Sequence, residues 1–100
     1  MALGSYCWKV PPHAQCADMA PPGMRTDIPA LTVHRGTLLT VRLAFPATRW
    51  TAAAWRSRTG APLPPGRQAT LRAAKSGLIV IDASSRTHGS ASYLVRLRVR

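Results

Sequence analysis

Apolar and polar residues alternate along much of this chain after residue 30. The alternation covers residues 31–34, 39–45 and 93–99. Because successive side chains of a strand point to opposite faces, a period of two predicts strands with one apolar and one polar face. Arg35 and Gly36 predict a turn, so the first two segments form either a hairpin or two consecutive strands. Residues 77–83 are nearly all apolar and often β-branched, which predicts another strand, buried on both faces or beneath a second sheet.

Two segments in the middle of the chain are ambiguous. Residues 50–58 and 67–75 both contain alanine and other good helix formers. Proline and glycine bracket both segments, and turns about every ten residues are typical of a β-sandwich. This context favours a strand at 50–58 and leaves strand and helix equally open at 67–75.

The first 24 residues are predicted to be irregular, because their proline pairs fix an extended backbone and interrupt helices. We therefore expect a single domain over residues 1–100, in which residues 25–100 supply the strands. The predicted fold is an all-β, immunoglobulin-like sandwich of about six to eight short antiparallel strands. Among the aromatic side chains, Tyr93 and either Trp50 or Trp55 are expected to fill its core.

Cys7 and Cys16 are the only cysteines of the chain. A disulfide closing so short a loop stabilises a domain by about 2–3 kcal/mol in the chain-entropy model, and it implies export to an oxidising compartment. Reduced thiols in a cytoplasmic protein are the main alternative. Metal sites formed by Cys7, His13 and Cys16, or by His13, Met19 and Met24 with copper, are weaker hypotheses, because the spacing fits no zinc pattern. The sequence favours the disulfide, and no metal is expected.

The chain is strongly basic. Its 14 lysines and arginines face three aspartates and no glutamate, which gives a formal net charge of +11. Such a field attracts polyanions, although a solvated basic surface without a ligand would have the same composition. Outward arginines also discourage the pairing of sheet edges between molecules. The candidate polyanion-binding residues are Arg49, Arg56, Arg58, Arg67, Arg72, Arg96, Arg98 and Arg100.

Nothing in the sequence predicts catalysis. The three aspartates fall on different predicted elements, so no pair of carboxylates is expected to share a cleft. The chain has no Gly-x-Ser-x-Gly elbow and no phosphate-binding glycine loop. Ser90 and Ser92, near His88, are interpreted as residues at the start of a strand. We therefore expect no enzymatic activity, no catalytic residue and no cofactor.

The sequence contains no apolar run of the roughly 20 residues needed to cross a bilayer. Its first three residues also lack the charged start and long apolar stretch of a signal peptide. The export signal is therefore not visible in this chain, and the domain is expected to be cytoplasmic if Met1 is the true start.

The N-terminal motif Gly-Ser-Tyr-Cys-Trp at residues 4–8, with Cys-Ala-Asp at 16–18, resembles that of uncharacterised secreted and lipoprotein-like domains of bacilli and actinobacteria. The later alternating strands are similar to those of immunoglobulin-like sandwiches. The resemblance implies an envelope or extracellular location, a bridge between Cys7 and Cys16, and no catalytic residue to carry over. Two features depart from it: no leader is visible, and the middle is rich in alanine and arginine.

Two functional hypotheses follow from the sequence. The first is a non-catalytic, secreted or cell-envelope domain of unknown ligand, whose partner could be an anionic envelope polymer or a protein. The alternative is a basic module that binds polyanions or nucleic acid through an arginine-rich sheet face.

Overall fold

The computed structural model describes residues 1–10, 13–18, 25–57 and 60–100. Every regular element within these ranges is a strand, so the predicted all-β class is confirmed. In chain order the strands are β1 (Ala2–Val10), β2 (His13–Ala17), β3 (Ala30–Val33), β4 (Leu38–Ala47), β5 (Arg49–Ala54), β6 (Ala61–Leu63), β7 (Gly66–Arg72), β8 (Gly77–Ser85) and β9 (Gly89–Val99). The described ranges thus hold nine strands, more than the six to eight expected, because the N-terminal segment contributes two.

The strands form two sheets of unequal size. The larger sheet has seven strands in the order β2-β1-β9-β8-β5-β6, with β3 also paired to β9, and the smaller sheet contains β4 and β7. All pairs are antiparallel except β3 with β9, which run parallel. The turn at Arg35–Gly36 connects β3 of the larger sheet to β4 of the smaller sheet, so the two strands do not form a hairpin.

Both ambiguous middle segments contain strands. β5 pairs with β8 over six residues, and β7 pairs antiparallel with β4, with a register shift between Arg42 and Ala47. In β5 the alternation places Trp50 and Ala52 in the core, and in β7 it buries Ala69. Packing between two sheets therefore overrides the helix propensity of alanine.

The expectation of an irregular segment at residues 1–24 is wrong for the part that the structure describes. β1 and β2 form an antiparallel hairpin in which Cys7 lies opposite Cys16, and the two cysteines form a disulfide with their Cα atoms 4.0 Å apart. The other edge of β1 pairs with β9, from Ala2 beside Leu94 to Trp8 beside Gly89. The segment therefore adds two strands to the larger sheet.

The core lies between the two sheets. β4 contributes every second side chain, from Val41 to Ala47, and β8 contributes Ile81, which is fully buried. Trp50 is 2% exposed, and its ring N–H donates a hydrogen bond to the carbonyl oxygen of Pro64. Tyr93 packs against this core. Trp50 is therefore the central tryptophan, while Trp55 is 44% exposed.

Tyr6 and Trp8 attach the N-terminal hairpin to this core. Their rings stack on each other, and Trp8 meets Phe45 edge to face with ring centroids 5.6 Å apart.

The described part of the chain contains no helix long and apolar enough to cross a membrane.

Candidate functional site

The candidate arginines lie at both ends of the sandwich. Arg49, beside Ser84, and Arg67, which follows the pair Gly66–Ala47, lie at one end, near the β8–β9 turn. At the other end are four candidates: Arg56, Arg72, Arg98 and Arg100, with Arg96 one step further inside on β9. Arg58 lies outside the described residues. The structure therefore brings only part of the candidate set together.

Two further cations, Arg35 and Lys75, lie at the same end as the second group. We call the set of six the basic end: Arg35, Arg56, Arg72, Lys75, Arg98 and Arg100. All six are exposed. They come from the β3–β4, β5–β6 and β7–β8 connections and from the end of β9, which are far apart in the sequence and become neighbours through the sheet topology.

Hydrogen bonds link the β3–β4 and β7–β8 connections to each other and to the end of β9. The N–H of Arg35 donates to the carbonyl oxygen of Arg100 at 3.0 Å, and the N–H of Gly36 donates to that of Ala73 at 2.7 Å. The guanidinium of Arg72 donates to the carbonyl oxygen of Gly36 at 2.9 Å. The N–H of Val99 donates to the hydroxyl of Ser76 at 2.8 Å. The cations of the β3–β4 and β7–β8 connections and of the end of β9 are therefore carried by backbone that is hydrogen-bonded together.

No side-chain carboxylate neutralises the basic end. All three aspartates are among the described residues: Asp18 follows β2, Asp27 forms an ion pair with Arg25, and Asp82 lies within β8. Asp82 is five residues beyond the start of β8, or about 16 Å along the strand. The basic end thus combines six positive charges with no aspartate in its connections, which favours polyanions.

Trp55 and Arg56 are the first two residues after β5. The N–H of Trp55 donates to the carbonyl oxygen of Leu78 at 2.8 Å, which fixes the connection beside β8. Arg56 adopts the left-handed region with φ of 67°, an unusual conformation for a residue other than glycine. An exposed indole beside a cation provides a surface on which a sugar ring or a base can stack.

Outside the basic end, a shallow depression of about 330 Å³ lies on the outer face of the larger sheet. Its lining is rich in hydroxyls, with Asp82 placed between Thr51 and Ser92. Partial burial raises the pKa of Asp82 above its ordinary value. By contrast, the hydrogen bond donated by Arg25 holds the pKa of Asp27 below its ordinary value.

The side chain of His88 contacts residues other than Ser90 and Ser92, the two serines that lie near it in the sequence. Its Nδ1 lies 2.9 Å from the hydroxyl of Thr87 and 3.4 Å from that of Ser85, and its ring stacks on Phe45. The hydroxyl of Ser92 instead donates to the carbonyl oxygen of Ser5 at 3.2 Å. The ring and that hydroxyl therefore belong to separate groups of hydrogen bonds.

The residues of the two metal hypotheses have different outcomes. Cys7 and Cys16 are bonded to each other, so neither offers a thiolate to a metal. The side chain of His13, together with Met19 and Met24, lies outside what the structure describes.

Arg35 and Lys75 were missed because each is a single cation in a predicted turn or at its edge. The useful signal is that both stand next to glycine-containing turns, at Gly36 and Gly77. Turns that end alternate strands of a sandwich gather at one end, so charges in such turns reinforce one another.

No protein-family profile matches the chain, and comparisons with curated proteins and with solved structures find no match either.

Proposed function

We propose that this protein is a non-catalytic module of the cell envelope or extracellular space, and that its basic end binds an anionic polymer. The observation that carries the proposal is the gathering of six exposed cations, without a side-chain carboxylate, on connections and strand ends at one end of the sandwich, most of which are hydrogen-bonded together. A polymer with closely spaced phosphates or carboxylates can contact several of these cations at once, which a small anion cannot do.

The disulfide supports the extracellular part of the proposal. A bond between Cys7 and Cys16 is stable in an oxidising environment, whereas the cytosol keeps thiols reduced. The resemblance of residues 4–8 and 16–18 to secreted bacterial domains points to the same environment. Mass spectrometry of the alkylated, unreduced protein from its source cells tests this part, because two free thiols would contradict it.

Trp55 supports a polymer that carries rings. It is exposed beside Arg56, so a sugar or a base next to a bound anionic group can cover the indole. Stacking on an aromatic side chain contributes about 1–3 kcal/mol per base in single-stranded nucleic acid. Nucleic acid would use the same stacking and charge, so it is the alternative that the experiment must separate.

The test compares two triple variants with the same net charge. One replaces Arg35, Arg98 and Arg100 of the basic end with glutamine; the control likewise replaces three arginines elsewhere, Arg42, Arg49 and Arg67. The probes are a hexose-phosphate polymer, which carries sugar rings but no bases, a single-stranded RNA and a DNA duplex, each titrated at several salt concentrations. The slope of log affinity against log salt reports how many anionic groups are neutralised.

We expect the basic-end variant to lose about 0.7–0.9 of slope per arginine removed and the control variant to keep the slope of the natural protein. Equal losses in both variants would show a diffuse charged surface and would contradict the proposal. Tighter binding of RNA or DNA than of the hexose-phosphate polymer, at equal salt, would favour the nucleic-acid alternative.

A further inference from the structure

Among the described residues, the smaller sheet has only two strands, so the long strand β4 is unpaired along one of its edges. β4 is ten residues long and pairs with β7 along one edge. Along its other edge, no strand of the described ranges pairs with it. A strand with an open edge exposes main-chain donors and acceptors in a row, which another strand can bind.

The ladder shows which main-chain groups face this open edge. The N–H of Ala73 donates to the carbonyl oxygen of Thr37 at 2.9 Å, just before the paired residues of β4 and β7 begin. In an antiparallel pair, every second residue bonds to the partner and the residues between them point away. Counting from Thr37, the N–H and C=O groups of Thr40 and Arg42 therefore point to the open edge.

An apolar cleft lies beneath the same edge. It has a volume of about 220 Å³ and extends between the two sheets, with Thr40 and Arg42 at its margin. Its principal apolar walls are Met1, Leu31, Leu39, Val41, Val95 and Leu97. Met1 and Leu31 are each 45% exposed, so large apolar side chains stand uncovered at its mouth. A strand added along β4 would cover them with every second side chain.

The charge of this edge indicates the partner. Arg42 is exposed on the outer face of β4, where its Nε donates to the side chain of Gln68 at 3.2 Å. The neighbouring position on an added strand lies about 5 Å away between Cβ atoms, close enough for an acidic side chain to pair with Arg42. A second copy of this chain would bring another net charge of +11, which opposes self-association.

We propose that the open edge of β4 binds an extended segment of another protein by strand addition, in which apolar residues alternate with acidic ones. The apolar side chains enter the cleft between the sheets, the acidic ones face the side of Arg42, and the main chain of the segment bonds to Thr40 and Arg42. The smaller sheet thereby gains a third strand. This site is separate from the basic end and does not depend on its ligand.

The probe is a synthetic peptide of about nine residues in which valine alternates with aspartate, a length that matches β4. A peptide with lysine in place of aspartate is the control. We expect the aspartate peptide to bind and to slow hydrogen exchange at the amides of Thr40 and Arg42, measured by NMR. Slow exchange of both amides before any peptide is added would show an edge that is already covered, and would overturn the proposal.

Three variants locate the site. Thr40→Pro removes a donor from the open edge, and we expect it to weaken the peptide about tenfold. Thr70→Pro is the matched control, because Thr70 lies opposite Thr40 and its amide points away from β4. Arg42→Glu leaves the backbone intact and should reverse the preference, so that the lysine peptide binds about threefold better than the aspartate peptide.

Each of these variants has an outcome that overturns the proposal. Thr70→Pro weakening the peptide as much as Thr40→Pro would place the peptide elsewhere. Should the proline variants fail to fold, an unchanged preference of Arg42→Glu would still contradict the assignment. A dimer of the peptide-free protein that is broken by Thr40→Pro would show that a second copy is the occupant.

Discussion

The docking of the N-terminal hairpin against β9 can be tested at Gly89. This residue lies opposite Trp8 and has a φ of 109°. A Cβ atom added there would overlap the carbonyl oxygen of Cys7. Gly66 provides a matched control, because its φ of 133° is also positive while no heavy atom lies within 4 Å of an added Cβ. Comparing Gly89→Ala with Gly66→Ala therefore separates the steric contact from the backbone strain.

The two substitutions share every term except the contact. Forcing alanine into a left-handed backbone costs roughly 1–2 kcal/mol at either position. Loss of glycine's freedom in the unfolded chain returns about 0.4–1 kcal/mol in both. Overlap with a packed backbone atom adds typically 1–3 kcal/mol, and only Gly89 has it. We therefore expect Gly89→Ala to lower the free energy of unfolding by about 1–3 kcal/mol more than Gly66→Ala.

Unfolding by urea, followed by tryptophan fluorescence, measures the two free energies. The comparison is valid if both variants keep the slope of the natural protein against urea concentration, since a changed slope indicates that a different amount of surface unfolds. Equal losses in the two variants, within about 0.5 kcal/mol, would refute the close contact between β1 and the start of β9.

The remaining predictions concern the disulfide and the aspartates. Replacing Cys7 and Cys16 together with serine should lower the free energy of unfolding by about 2–3 kcal/mol; reduction of the natural protein should have the same effect, and no change in urea unfolding would contradict the loop-closure argument. The carboxyl of Asp82 should titrate above that of Asp27 in carbon NMR, because the pKa of Asp82 is raised and that of Asp27 is lowered. The favourable contribution of Asp27 is therefore lost as the pH falls through its folded pKa, whereas the ionisation of Asp82 costs stability as the pH rises above its unfolded value. The reverse order of titration would contradict the contacts described for the two residues.

Alternation was enough to predict the sandwich because both sheets bury every second side chain. The run 77–83 was interpreted as a buried strand, and β8 lies inside the larger sheet with Ile81 fully buried. The middle segments needed the context of glycine and proline, since alanine by itself favours helix. Propensity was therefore a weaker guide than the spacing of turns.

The N-terminal hairpin was missed although its pattern is present. Tyr6 and Trp8 alternate with Cys7, and the two rings stack on the face that reaches Phe45. The nearby proline pairs favour irregular backbone, while the stretch before Pro11 is long enough for a complete strand. A period of two over a short segment is easily outweighed by prolines at its end.

The site was harder to predict than the fold. The cations of the basic end belong to four separate parts of the chain, and only the order of strands shows that they meet. Strand order depends on which edges pair over long sequence separations, and the local pattern does not encode this. Arg49 and Arg67 entered the candidate set for the same reason, since their sequence pattern is equivalent to that of Arg72.

The disulfide joins two neighbouring strands at the rim of the larger sheet and does not tie one sheet to the other. It therefore crosslinks a single hairpin. The two sheets are held together by the packing of core side chains such as Trp50 and Ile81. A change of redox environment consequently acts on the border of the molecule. The interior keeps its neighbours, so the state of the bridge can vary without rebuilding the domain.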